Sequence, residues 1–141
     1  MRIEAPVERV WELFIDRSRL HEWTPRSEFT SFSGPLDQVG TTFSDTTRLM
    51  GLDFKMTNEV VEVEPLRLYH EHTDTGPVDT VLRLEPDGDA TRVIVDSDYD
   101  IAIRMPGFLK DLLIKGWGER NARQMMHKFK ALVEAEVRAQ A

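Results

Sequence analysis

The chain has 141 residues, 40% apolar and 30% charged, which describes one ordinary globular domain large enough to bury a real core. A net charge of −7 argues against a nucleic-acid partner, and the absence of cysteine excludes disulfides, thiolate chemistry and cysteine-held metals. No apolar run reaches the ~18 residues of a membrane span, and the opening MRIEAPVERVW lacks the apolar stretch of a secretory signal, so the expectation is a cytoplasmic protein with no transmembrane segment.

Met1–Glu4 reads as a short strand broken by Ala5-Pro6. Val7, Val10, Trp11 and Phe14 then recur at helical spacing, with Pro6 suited to the helix start. Asp16 and Ser18 are capping types, and Arg17–Glu22 reads as a second short helix before Thr24-Pro25. From there the period becomes two. Strands are expected at Ser27–Ser33, Thr41–Met50, Leu52–Glu64, a segment alternating Leu68, His70 and His72 with Tyr69, Glu71 and Thr73, a segment through Val78, Thr80, Leu82 and Leu84, and Thr91–Ile101. Gly34-Pro35, Gly51, Pro65, Gly76-Pro77 and Asp87-Gly88 punctuate them. Short connections favour one antiparallel meander.

After Pro106, some thirty residues run without proline and predict a helix of roughly 45 Å. Ile114, Gly118, Asn121, Met125, Phe129 and Leu132 form one stripe, flanked by Ala122, Met126, Val133 and Val137. Lys115, Arg120, Arg123, Gln124 and Arg138 lie opposite, and residues 106–141 hold seven Lys/Arg against four Asp/Glu, leaving −10 for residues 1–105. That basic side is either a solvated face or a docking surface for an anionic partner. The fold class is therefore α+β, a curved antiparallel sheet crossed by one long C-terminal helix.

The residues Ile3-Glu4-Ala5-Pro6-Val7-Glu8-Arg9-Val10-Trp11, then Asp16, Trp23 and Pro25, together with Gly34-Pro35, Val39-Gly40-Thr41, Val60–Pro65 and Met105-Pro106-Gly107-Phe108-Leu109, resemble the START-like (SRPBCC) superfamily in its polyketide cyclase/dehydrase-like and lipid-transport branch. The resemblance covers essentially the whole chain as one domain. It implies a helix-grip fold: seven antiparallel strands wrapped around the C-terminal helix, two short helices after the first strand, and a deep cavity between helix and sheet. Relatives of this type carry a longer first strand than Met1–Glu4.

Several residues are candidates to line such a cavity. On the helix these are Ile114, Gly118, Asn121, Ala122, Met125 and Phe129, where small or polar types sit in a stripe that pure packing would fill with large ones. Gly116 and Gly118 call for a kink, a close backbone approach or ligand space. On the sheet the candidates are Phe43, Phe54, Met56, Leu68, His70, His72, Thr80, Leu82, Val95, Ser97 and Tyr99, and Trp23 is either a lid at the mouth or a core residue. Met50, Met56, Met125 and Met126 suit either a loosely shaped apolar pocket or a core. His70 and His72, two apart on a strand, share a face; they either orient a ligand, transfer protons or serve structure, and no third metal ligand accompanies them. Glu71 is placed on the opposite, outer face. His70 and Tyr99 are the candidates for proton transfer. Asp96, Asp98 and Asp100 are expected to point outward. Leu109, Leu112 and Leu113 leave the main stripe, so either the chain bends there with Gly116 as the hinge, or they cover the cavity entrance, or they form an exposed patch for a partner or membrane.

No dinucleotide fingerprint, phosphate loop or nucleophile elbow occurs, so neither a metal nor another cofactor is expected. The expected function is carriage or binding of a small hydrophobic molecule, a lipid, polyketide or other aromatic, by a monomer or homodimer. The alternatives are a cyclase/dehydrase or aromatase-type enzyme, and a module that binds a protein partner as chaperone modulators do.

Overall fold

The computed structural model describes residues 1–24, 27–49, 51–74, 78–99 and 119–140. Strand β1 (Arg2–Ile3) leads into helix α1 (Val7–Ile15), a 3-10 turn (Arg17–Arg19) and helix α2 (Leu20–Trp23). Strands β2 (Ser27–Thr30), β3 (Thr42–Leu49), β4 (Leu52–Glu64), β5 (Leu68–Thr73), β6 (Val78–Asp87) and β7 (Ala90–Tyr99) follow, and helix α3 (Glu119–Ala139) ends the described chain. All seven strands form one antiparallel sheet in the order β1-β7-β6-β5-β4-β3-β2. This is the helix-grip arrangement.

The short first strand holds its edge. Ile3 is fully buried opposite Thr91, and the Met1 carbonyl accepts from the Val93 amide at 2.8 Å, so the ladder begins before the strand proper. The expected second helix is a 3-10 turn followed by a single α-helical turn. The Asp16 carboxylate accepts from the Ser18 amide at 3.1 Å and caps the 3-10 segment. At the β6–β7 hairpin, Gly88 takes φ +62°, a left-handed conformation that glycine adopts without the Cβ clash.

Every third or fourth residue of α1 turns inward: Val7, Val10, Trp11 and Leu13 are buried, with Phe14 half-buried. Phe14 is the hinge of an aromatic cluster, stacked on Trp23 at 5.8 Å and meeting Tyr69 edge-on at 4.9 Å. Phe129 of α3 meets Trp23 edge-on at 5.0 Å. This cluster joins α1, α2, β5 and α3, and with Val133, Leu82, Leu84 and Val93 it forms the centre of the core. A second aromatic group, Phe29, Phe32 and Phe43, closes the β2–β3 end.

Candidate functional site

The inner face of the sheet, turned toward α3, is set by register. Tyr69 pairs with Leu82 and Leu82 with Val95; Leu84 pairs with Val93. These are the apolar end of the face, and Phe129 and Val133 of α3 are buried in the same cluster. One step along the strands the chemistry changes. Val60, Glu71, Thr80 and Ser97 stand directly opposite one another across β4, β5, β6 and β7. Asn58 and Thr73 stand in the next row, and Asp45 beyond them on β3.

The polar groups are organised. The Thr73 hydroxyl donates to Asn58 Oδ1 at 2.6 Å, and Asn58 Nδ2 donates to Asp45 Oδ2 at 2.7 Å. Asn58 and Thr73 are both buried, so these bonds satisfy groups that would otherwise cost about 1–3 kcal/mol each. The Tyr69 hydroxyl, at the end of a buried ring, donates to Glu71 Oε2 at 2.9 Å. Burial pushes the Glu71 carboxyl up to about 7, helped by the nearby Asp45 charge and opposed by the Tyr69 hydrogen bond and His70. The Tyr69 hydroxyl is raised as well, first by burial and then by the Glu71 charge. Near neutral pH, Glu71 therefore exists both as a carboxylic acid that donates and as a carboxylate that accepts.

Beside this row a cleft of about 430 Å³ opens between β7 and α3, lined by Met1, Val93, Val95, Ser97, Ala122, Arg123 and Met126. Val95 remains 39% exposed although its register places it on the inner face. The Trp23 indole N–H, deep in the aromatic cluster, has no hydrogen-bond acceptor among the described residues. The described residues contain no group of three or more His, Asp or Glu that could hold a metal.

The family model for polyketide cyclase/dehydrase and lipid transport matches residues 1–134. The chain belongs to this family. No curated protein matches it. Among solved structures, the Zhui aromatase/cyclase from a Streptomyces species superposes with a TM-score of 0.82 at 17% identity, covering 100% of this chain and 94% of the other. The protein TTHA0849 from Thermus thermophilus does so at 0.76 with 21% identity, covering 96% and 94%. Ara h 8.0201 does so at 0.76 with 9% identity over the same shares. At such identities the likeness is one of fold.

Within the family fold, the predicted site residues separate into three sets. Phe43, Met56, Thr80, Leu82, Val95 and Ser97 lie on the inner face, and Ala122, Met125, Phe129 and Trp23 lie on the elements packed over it. Leu68, His70 and His72 do not. They occupy the opposite face of β5, where His70 Nε2 and His72 Nδ1 approach the same Asp79 oxygen at 3.0 and 3.1 Å. The inner positions are Tyr69, Glu71 and Thr73, the reverse of the expected parity. The reason is packing: the Tyr69 ring fills the contact with Phe14, while both imidazoles find a carboxylate on β6. The third set lies outside the described residues: Ile114, Gly118, Met50, Leu109, Leu112, Leu113, Gly116 and Asp100, and the side chains of Phe54, Asp98, Tyr99 and Asn121. Asp96 points outward as expected and is bridged by Arg83 at 3.3 Å.

Sequence reasoning missed Glu71, Tyr69, Asn58, Thr73 and Asp45. The usable signal was Tyr69, whose large ring outweighs Leu68 as a marker of the core side.

Proposed function

We propose that the protein binds a small hydrophobic molecule carrying polar oxygens, a polyketide, lipid or other aromatic, between the inner sheet face and α3, as a carrier or binding protein. One observation carries this reading: the polar row Glu71, Thr80 and Ser97 adjoins the apolar rows of the inner face, and its Ser97 end lines an open cleft. A few convergent polar groups in an apolar hollow orient a ligand, while the apolar area supplies most of the affinity, at about 25 cal/mol per Å². Family membership supports the same reading. Calorimetric titration of the purified protein with naphthalene and 2-acetylnaphthalene tests it. Saturable binding of one ligand per chain is expected, and absence of binding by either probe up to its solubility contradicts it.

A second reading, an enzyme of the cyclase/dehydrase kind, is favoured by Glu71 alone, because a carboxyl poised near neutrality on this face suits proton transfer. Under that reading, Glu71→Gln abolishes turnover of a linear poly-β-ketone thioester while leaving its binding in place. Unchanged turnover removes the reading.

A further inference from the structure

Besides the Asn58, Thr73 and Asp45 network, three clusters of polar side chains stand out among the described residues. The outer-face group of His70, His72 and Asp79 is open to solvent, with its partners already matched. The cleft of about 380 Å³ between α1 and the end of α3 is spanned by ion pairs, Arg19 bridging Glu22 and Glu136. The third is the Glu71 and Tyr69 pair, which lies on the inner face of the sheet, with Glu71 partly buried and flanked by neutral groups on both neighbouring strands.

We propose that Glu71 is the specificity-determining group of the site, recognising a carbonyl oxygen on an aromatic ligand, and that Tyr69 positions it. This rests on the binding reading above. Three features of the geometry point the same way. Glu71 is directly opposite Val60 on β4 and Thr80 on β6, so neither neighbour supplies a countercharge. Tyr69, two residues earlier on the same face, occupies one carboxyl oxygen at 2.9 Å, which fixes the plane of the group. Ser97, one strand beyond Thr80 in the same row, lines the cleft, so the row that starts at Glu71 ends at the wall of the space a ligand would fill.

The protonation state then decides what is bound. As the acid, Glu71 donates its proton to a carbonyl acceptor. As the carboxylate it has no proton to give, and its charge faces the carbonyl oxygen unfavourably. Among the described residues, the titratable groups that act on it are Tyr69 and His70 of its own strand, which favour the carboxylate, and Asp45 of β3, which favours the acid. The site should therefore prefer neutral carbonyl compounds below pH 7 and lose that preference above it.

The test is calorimetric titration with 2-acetylnaphthalene, and with naphthalene as the oxygen-free control, at pH values from 5.5 to 8.5. For the unaltered protein, affinity for 2-acetylnaphthalene falls about five- to tenfold across that range, while affinity for naphthalene stays level. In Glu71→Gln, whose amide still donates but does not titrate, both probes bind with level affinity. Tyr69→Phe moves the midpoint for 2-acetylnaphthalene to higher pH, because it removes a hydrogen bond to the carboxylate. Asp45→Asn moves it to lower pH, because it removes a like charge. A purely structural role for either residue would change affinity at every pH and leave the midpoint in place. If both probes bind with no pH dependence, or if the dependence survives in Glu71→Gln, this inference falls and the binding reading stands. If neither probe binds, both fall.

Discussion

Glu71 destabilises the fold at neutral pH, and the sign follows from its titration. Its folded value, about 7, lies above the ordinary 4.5, so between those values the folded chain holds a proton that the unfolded chain has released. Stability therefore falls as pH rises from 4.5 to about 7 and then levels off. The carboxyl residue is partly exposed, which discounts the effect to roughly 1–3 kcal/mol. Glu71→Gln is predicted to stabilise the protein by that amount at pH 8 and to change little at pH 4.5, as read from urea unfolding at both values. Equal effects at both pH values would mean that the amide alters packing instead of removing a buried charge. A stabilising substitution at a polar inner position is what a residue kept for binding leads one to expect. Asp79 behaves oppositely: hydrogen bonds from His70 and His72 hold it below the usual carboxylate range, so its contribution is lost only as pH falls through its folded value.

At the scale of the element, β5 decides which polar residues stand on the inner face. Both of its faces carry polar side chains, so alternation alone does not choose between them, and a single step of parity exchanges His70 and His72 for Tyr69, Glu71 and Thr73. The neighbouring strand adds to the difficulty. Its register against β5 shifts between Val60 and Glu62, so Val60 and Val63, not residues two apart, turn inward. A bulge of this kind leaves no mark in composition. By contrast, α1 and the described part of α3 were legible because their apolar spacing is unambiguous, as were the hairpins marked by Gly51 and Asp87-Gly88. The corrected parity predicts that His70→Ala and His72→Ala bind 2-acetylnaphthalene at pH 5.5 within about twofold of the unaltered protein. A tenfold loss in either would return the histidines to the site. On α3, Phe129 is 1% exposed and touches both Trp23 and Phe14, so Phe129→Ala is predicted to cost about 3–5 kcal/mol in unfolding free energy.

At the scale of the whole molecule, one end of the grip is solid and the other is polar. Phe129, Val133, Trp23, Leu82 and Leu84 fill the first, Val95 borders the cleft, and Glu71, Thr80 and Ser97 begin the second. Under the proposed function, the apolar end holds the fold together and the polar end is the part that binding shapes. A ligand held there at a hundred times its dissociation constant adds about 2.7 kcal/mol to the folded state, which raises the melting temperature by roughly 10 °C. Scanning calorimetry with and without 2-acetylnaphthalene at pH 5.5 measures that rise, and Glu71→Gln retains it. Recognition by Glu71 demands more than stabilisation, because it puts the ligand's carbonyl against that carboxyl on the inner face. A crystal structure of the protein soaked with 2-acetylnaphthalene at pH 5.5 tests this directly. Ring density is expected between β7 and α3, with the acetyl oxygen within hydrogen-bond distance of Glu71. Density beside His70 and Asp79 on the outer face, or an inner face closed to the probe while it binds elsewhere, would contradict it.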